Sequence, residues 1–105
     1  MSLRLVALCV DANDPVGLAR FWAEALRWEV ADGTVKRIRL VPTDGTRFGM
    51  DFVPVPEPKV GPNRLHLDLT STSLDDQRKS VATLVELGAR HIDIGQRPEE
   101  GHVVL

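Results

Sequence analysis

Tyrosine is absent from this 105-residue chain, and aromatic residues of any kind make up only 5% of it. Its core must therefore rest on aliphatic side chains, with two tryptophans and three phenylalanines as the large pieces. Cys9 is the only cysteine, which excludes an intrachain disulfide and any CxxC pair. It stands in an apolar run, where a buried small hydrophobe is expected and a nucleophile is not. Neither sign of charge dominates: the formal net charge is -2, which argues against a nucleic-acid partner, since phosphate backbones select basic surfaces. No apolar run reaches the length of a membrane span, and the N-terminus lacks a charged-then-apolar signal layout. A cytoplasmic protein with no membrane partner is the expectation. There is no phosphate-cradling glycine loop and no Ser-His-Asp context for a nucleophile.

What the chain does have is one pattern written twice. A short apolar strand leads into a capped helix, and a further extended stretch follows. The first copy covers residues 3–33, and the second covers residues 64–95. Setting Val6-Ala7-Leu8 against Leu67-Asp68-Leu69 brings Pro15 opposite Asp76 and Leu26 opposite Leu87. Identity between the copies is low, but a repeated pattern of elements predicts a repeated architecture.

Local signals fill in each copy. Residues 3–10 are nearly continuous apolar and predict a covered strand. Asp14 as N-cap and Pro15 at the first helical position predict a helix start, and Leu18, Phe21, Trp22 and Ala25 give it an apolar face. Strand-like alternation follows, Ile38 and Leu40 against Arg37 and Arg39. A Pro42-Thr43-Asp44-Gly45 turn comes next, then Phe48, Met50 and Phe52 against Gly49, Asp51 and Val53. The proline-rich stretch 54–62 predicts an extended connector. In the second copy Leu65, Leu67 and Leu69 alternate with Arg64, His66, Asp68 and Thr70. Ser73 and Asp76 predict a capped helix with Val81, Leu84 and Val85 as its buried stripe, and Gly88 ends it. Strands are expected again at 91–94 and 102–105. The last would leave a sheet edge unpaired, so either the sequence continues beyond Leu105, which is the expectation, or another chain supplies the missing strand.

If the apolar side of each half packs under its helix, Arg37, Arg39, Asp51, His66, Asp68, His91 and Asp93 share the opposite side. Two half-sheets curving together would gather them in a concave cleft, where convergent polar groups mark a ligand site; a solvated polar sheet face is the plain alternative.

The stretches DANDPVGLARFWAEALRWEV and PVPEPKVGPNRLHLDL resemble the vicinal oxygen chelate superfamily, and within it a glyoxalase-like, bleomycin-resistance-like branch of actinobacterial type. The resemblance spans the chain. It implies an α+β fold of paired βαβββ modules, as in glyoxalase, bleomycin resistance and dihydroxybiphenyl dioxygenase proteins, with the last strand missing from this sequence. It also implies a single domain over residues 1–105, with module one at 1–57 and module two at 62–105, and a homodimer. Metal-using members draw ligands from the first and last strand of each module. Here those positions offer Leu5, which has no donor atom, then Asp51, two residues before Val53, and His66. The resulting expectation is a metal-independent protein, without a cofactor, that binds a small molecule such as a natural product or antibiotic. Its ligand-binding residues would be Trp28, Arg37, Arg39, Asp51, His66 and Asp68, with Trp22 and Phe48 as further aromatic walls. The alternative is a glyoxalase-type lyase, isomerase or extradiol dioxygenase-like enzyme using a divalent metal ion on His66 and Asp51.

Overall fold

The computed structural model describes residues 2–34 and 37–105. Its contacts divide into two units, Met1–Pro62 and Asn63–Leu105. The first unit runs β1 (Ala7–Ala12), α1 (Pro15–Leu26), β2 (Glu29–Thr34), β3 (Arg37–Val41) and β4 (Gly49–Pro54). These strands form one sheet in the order β1-β4-β3-β2. Strand β4 is parallel to β1 and antiparallel to β3, and β3 is antiparallel to β2. This is the βαβββ arrangement: α1 carries the chain across so that its last strand returns beside its first.

Helix α1 begins where the sequence signals it. The Asp14 carboxylate accepts from the Gly17 amide at 3.1 Å, and Pro15 occupies the first turn, where a missing N–H costs nothing. A side chain at position 17 would run into that carboxylate. The helix stops at Arg27, a non-glycine residue in the left-handed region at φ 58°.

The core lies between α1 and one face of the sheet. Leu18, Ala19, Trp22, Ala23 and Leu26 of the helix pack against Leu8 and Val10 of β1, Ile38 and Leu40 of β3, and Met50 and Phe52 of β4. Every sheet residue in that set is even-numbered, as strand alternation requires. Leu40 and Phe52 are fully buried, each burial being worth about 1.5–3 kcal/mol. The connector after β4 is pinned to the end of β1: the Asn13 side-chain amide donates to the carbonyls of Val55 and Glu57 at 2.9 and 2.8 Å.

Four expectations need correction. Strand β1 starts at Ala7 rather than near residue 3, and Leu3, Leu5 and Val6 are exposed. Its length matches β4, and only the Val6 carbonyl, accepting from the Gly49 amide at 3.0 Å, extends the pairing upstream. Cys9 is exposed, because its odd number puts it on the face away from α1. In the second unit α2 (Leu74–Glu86) forms with its expected Ser73 cap, and Gly88 follows it at φ 122°. No residue of α2 is buried, however, so the Val81, Leu84 and Val85 stripe is at most half-covered. Among the described residues of this unit there is no strand, although 64–70, 91–94 and 102–105 were expected to form three. Alternation marks a face for burial, but a ladder also requires a partner strand, and here the Ile92 amide donating to Val104 at 3.0 Å is a single bond rather than a ladder.

Gly49 is required by packing, since a β-carbon there would overlap the Leu40 carbonyl, whereas one at Gly61 would meet open space. Gly49→Ala is expected to lower unfolding stability in urea by about 1–3 kcal/mol, with Gly61→Ala within about 0.5 kcal/mol of the parent. Equal midpoints for the two variants would contradict this.

Candidate functional site

The sheet face opposite α1 carries the odd-numbered residues, and its centre is a carboxylate. Asp51 lies in the middle of β4, paired in register with Cys9 of β1 on one side and Arg39 of β3 on the other. Only 1% of Asp51 is exposed. An unpaired charge so placed would cost several kcal/mol. Here both carboxylate oxygens accept guanidinium hydrogen bonds. Arg39 binds them in bidentate fashion, Nε to Oδ1 at 2.6 Å and Nη2 to Oδ2 at 2.7 Å, and the Nη2 of Arg37 reaches Oδ2 at 2.7 Å. The arginines themselves keep contact with water, their side chains being 58% (Arg37) and 40% (Arg39) exposed. The Arg39 hydrogen bonds, helped by those of Arg37 and outweighing burial, hold the Asp51 carboxyl down to about 2.

The local sequence explains the geometry. Arg37 and Arg39 are two apart on one strand and so project to one face, and antiparallel register sets Arg39 directly opposite Asp51. The fork of a guanidinium then matches the carboxylate edge, which a lysine could not do. Sequence alternation brings these three residues to one face as expected. Cys9 also belongs to that face and was missed as exposed, although its odd number was the available signal.

The remaining site expectations fare differently. Trp28 is not an aromatic wall of this face. It is buried in the core on the α1 side, and its indole Nε1 donates to Asp44 Oδ2 at 3.0 Å. The turn at Asp44 thus serves the core: its other oxygen accepts from the Thr46 amide at 3.0 Å, and the Trp28 bond leads the effects that lower the Asp44 carboxyl to about 2. Trp22 also packs against the core. Half-buried Phe48 lies beside Arg4, Leu5 and Arg47 in a shallow surface hollow. His66 and Asp68 are exposed residues of the second unit, as are His91 and Asp93.

A divalent ion, which metal-using proteins of this fold hold, would have to draw on Asp51 in the first unit. Asp51 does not fit that task. Its two oxygens are occupied by three guanidinium N–H bonds, and two arginine cations at contact distance oppose a third positive centre. Leu5, at the other strand position, offers no donor atom.

Comparison with known proteins agrees with the topology. The family model described as Glyoxalase-like domain matches residues 7–105, and the chain belongs to that family. Among solved structures, one titled "Oxidase ChaP-H2" aligns with a TM-score of 0.57 and 23% identity, covering 84% of this chain and 65% of that one. A likeness at that identity is one of fold, and this chain spans just under two thirds of that structure's length. None of the curated proteins matches the chain.

The Asp51 value in the folded protein lies below its ordinary 3.8, so the pairing stabilises fully above that pH and is lost as pH falls toward about 2. Urea midpoints measured from pH 5 to pH 2 should therefore fall less steeply in Asp51→Asn than in the parent. Arg39→Met should be the more damaging substitution at neutral pH, by about 2–4 kcal/mol, because it strands a buried carboxylate rather than two half-solvated cations. Its acid loss should also be shallower than the parent's, because without Arg39 the Asp51 carboxyl is no longer held so far below its ordinary value. Identical acid slopes in the parent and Asp51→Asn would refute this account.

Proposed function

We propose that this glyoxalase-like chain binds a small organic molecule, of the natural product or antibiotic kind, on the sheet face opposite α1, and that its first module does so without a metal ligand. The observation that carries this reading is the contrast between the two faces. Apolar side chains and α1 fill one, while the other leaves Cys9 exposed and sets two half-exposed guanidinium groups around a buried carboxylate. A solvated sheet face has no need to bury a charge, whereas a fixed polar constellation is what orients a ligand. The commitment of Asp51 to arginine supports the metal-free part of the reading. The oxidase named above shares the fold at 23% identity, and its activity is not carried over to this chain.

Two measurements test the proposal. Metal analysis of protein purified without chelator is expected to find no stoichiometric Ni, Zn, Fe or Mn, and one equivalent of metal that is lost in His66→Ala would overturn the metal-free part. In amide NMR spectra, members of a panel of small aromatic and alicyclic compounds should shift the signals of Cys9, Arg39 and Asp51. Tryptophan fluorescence is a poor reporter here, since Trp28 is buried in the core with α1. A broad panel that leaves those three signals unmoved would sink the binding reading.

A further inference from the structure

We infer that the hollow lined by Arg4, Leu5, Arg47 and Phe48 is a second binding site, and that it takes a phosphate monoester carried on a small, flat, apolar body. The site stands apart from the binding reading above. None of its residues belongs to the Arg37–Arg39–Asp51 cluster, and all of them lie just upstream of a strand, Arg4 and Leu5 before β1, Arg47 and Phe48 before β4. The Val6 carbonyl accepts from the Gly49 amide at 3.0 Å, which holds the two approaches side by side. Residues far apart in the chain thereby line one hollow.

Charge names the polar half of the ligand. No carboxylate lines the hollow, and among the described residues neither Arg4 nor Arg47 has a hydrogen-bond or ion-pair partner for its side chain. The two aspartates that flank Arg47 in the chain are committed elsewhere. Asp44 accepts from the Trp28 indole and the Thr46 amide, and Asp51 from Arg37 and Arg39. Two uncompensated guanidinium groups match a phosphate monoester, which brings about 1.5 to 2 negative charges at neutral pH and three acceptor oxygens to share between them. A carboxylate, with a single charge and one planar edge, would be satisfied by either arginine alone. The apolar half follows from the other lining residues. Leu5 continues the exposed stretch that includes Leu3 and Val6, and contiguous exposed apolar surface marks a place of contact. Phe48 is half-buried, so part of its ring is left for a flat partner. The hollow's volume, about 650 Å³, lies within the range of small-molecule sites. A concave surface of that size receives a soluble molecule, whereas a membrane asks for apolar groups that project.

The test uses the full chain labelled with ¹⁵N and four probes: phenyl phosphate, inorganic phosphate, benzoate and phenol. Phenyl phosphate is expected to shift the Phe48 amide and the Arg4 and Arg47 Nε–H signals. Inorganic phosphate, which lacks the ring, and benzoate, which lacks the second charge, should bind more weakly, and phenol should leave the signals in place. Binding of phenyl phosphate should weaken as salt is raised and as pH falls through about 6, where the monoester takes up its second proton. Arg4→Gln and Arg47→Gln should each weaken it by about tenfold or more, the loss of one charge-assisted contact. Arg47→Lys should fall between Arg47→Gln and the parent. Arg20→Gln, at an exposed arginine of α1, should bind as the parent does. Benzoate binding as tightly as phenyl phosphate would overturn the assignment, as would parent-like binding in both glutamine variants. So would tighter binding to phosphatidylcholine vesicles containing phosphatidate than to phenyl phosphate, which would make the partner a lipid surface. Shifts at Cys9 and Asp51 in place of Phe48 would put the phosphate on the other cluster and sink the second site. If phenyl phosphate moves none of the hollow's signals the proposal fails, whether or not sedimentation then shows a second copy covering the hollow. The binding reading on the opposite sheet face is decided separately, by the signals of Cys9, Arg39 and Asp51.

Discussion

A carboxylate almost wholly removed from solvent constrains the first module more than any other group. Asp51 sits in the middle of β4 with strands on both sides, so it cannot turn aside to find water. Its charge is tolerable only because Arg39 meets it edge to edge and Arg37 closes over the same oxygen. That requirement fixes the register of β3 against β4. A slip of one residue would bring Ile38 or Leu40 to the carboxylate and turn the arginines into the core. The apolar packing under α1 and the polar pairing on the other face therefore enforce one another, as two readings of the same alternation.

How much of this was legible in the sequence depends on which physical quantity is asked for. Period-two alternation assigns a face, and it placed Ile38, Leu40, Met50 and Phe52 together and Arg37, Arg39 and Asp51 opposite them. Cap chemistry is equally local, and Asp14-Pro15 and Ser73 both start helices where they were expected to. Depth is not local. Trp28 follows the helix on an irregular residue, where no period assigns it a side; it packs into the core cluster while Asp44, sixteen residues away, accepts a hydrogen bond from its indole N–H. Cys9 was judged by the apolar company it keeps along the chain, when its neighbours across the sheet decide its exposure.

The second module shows the limit of pattern more plainly. Leu65, Leu67 and Leu69 alternate as cleanly as any stretch of the chain, yet all three are exposed. Strand propensity is a statement about fitting a pleated, half-buried surface, and without a hydrogen-bonded neighbour there is no such surface to fit. Helix α2 has no comparable dependence, because its backbone bonds are internal and its ends are capped by Ser73 and by the turn at Gly88. The difference between the two elements is thus one of where the hydrogen-bond partner resides, within the segment or outside it.

Family membership and local chemistry answer separate questions in this protein. The glyoxalase-like match and the βαβββ topology describe how the strands are arranged, and many proteins of such a fold can present oxygen or nitrogen donors to a cation. Whether a given strand position does so depends on what else points at it. A carboxylate with free oxygens in a partly buried site attracts a cation. The same carboxylate saturated by two guanidinium groups has already met its cations, and they are covalently part of the chain.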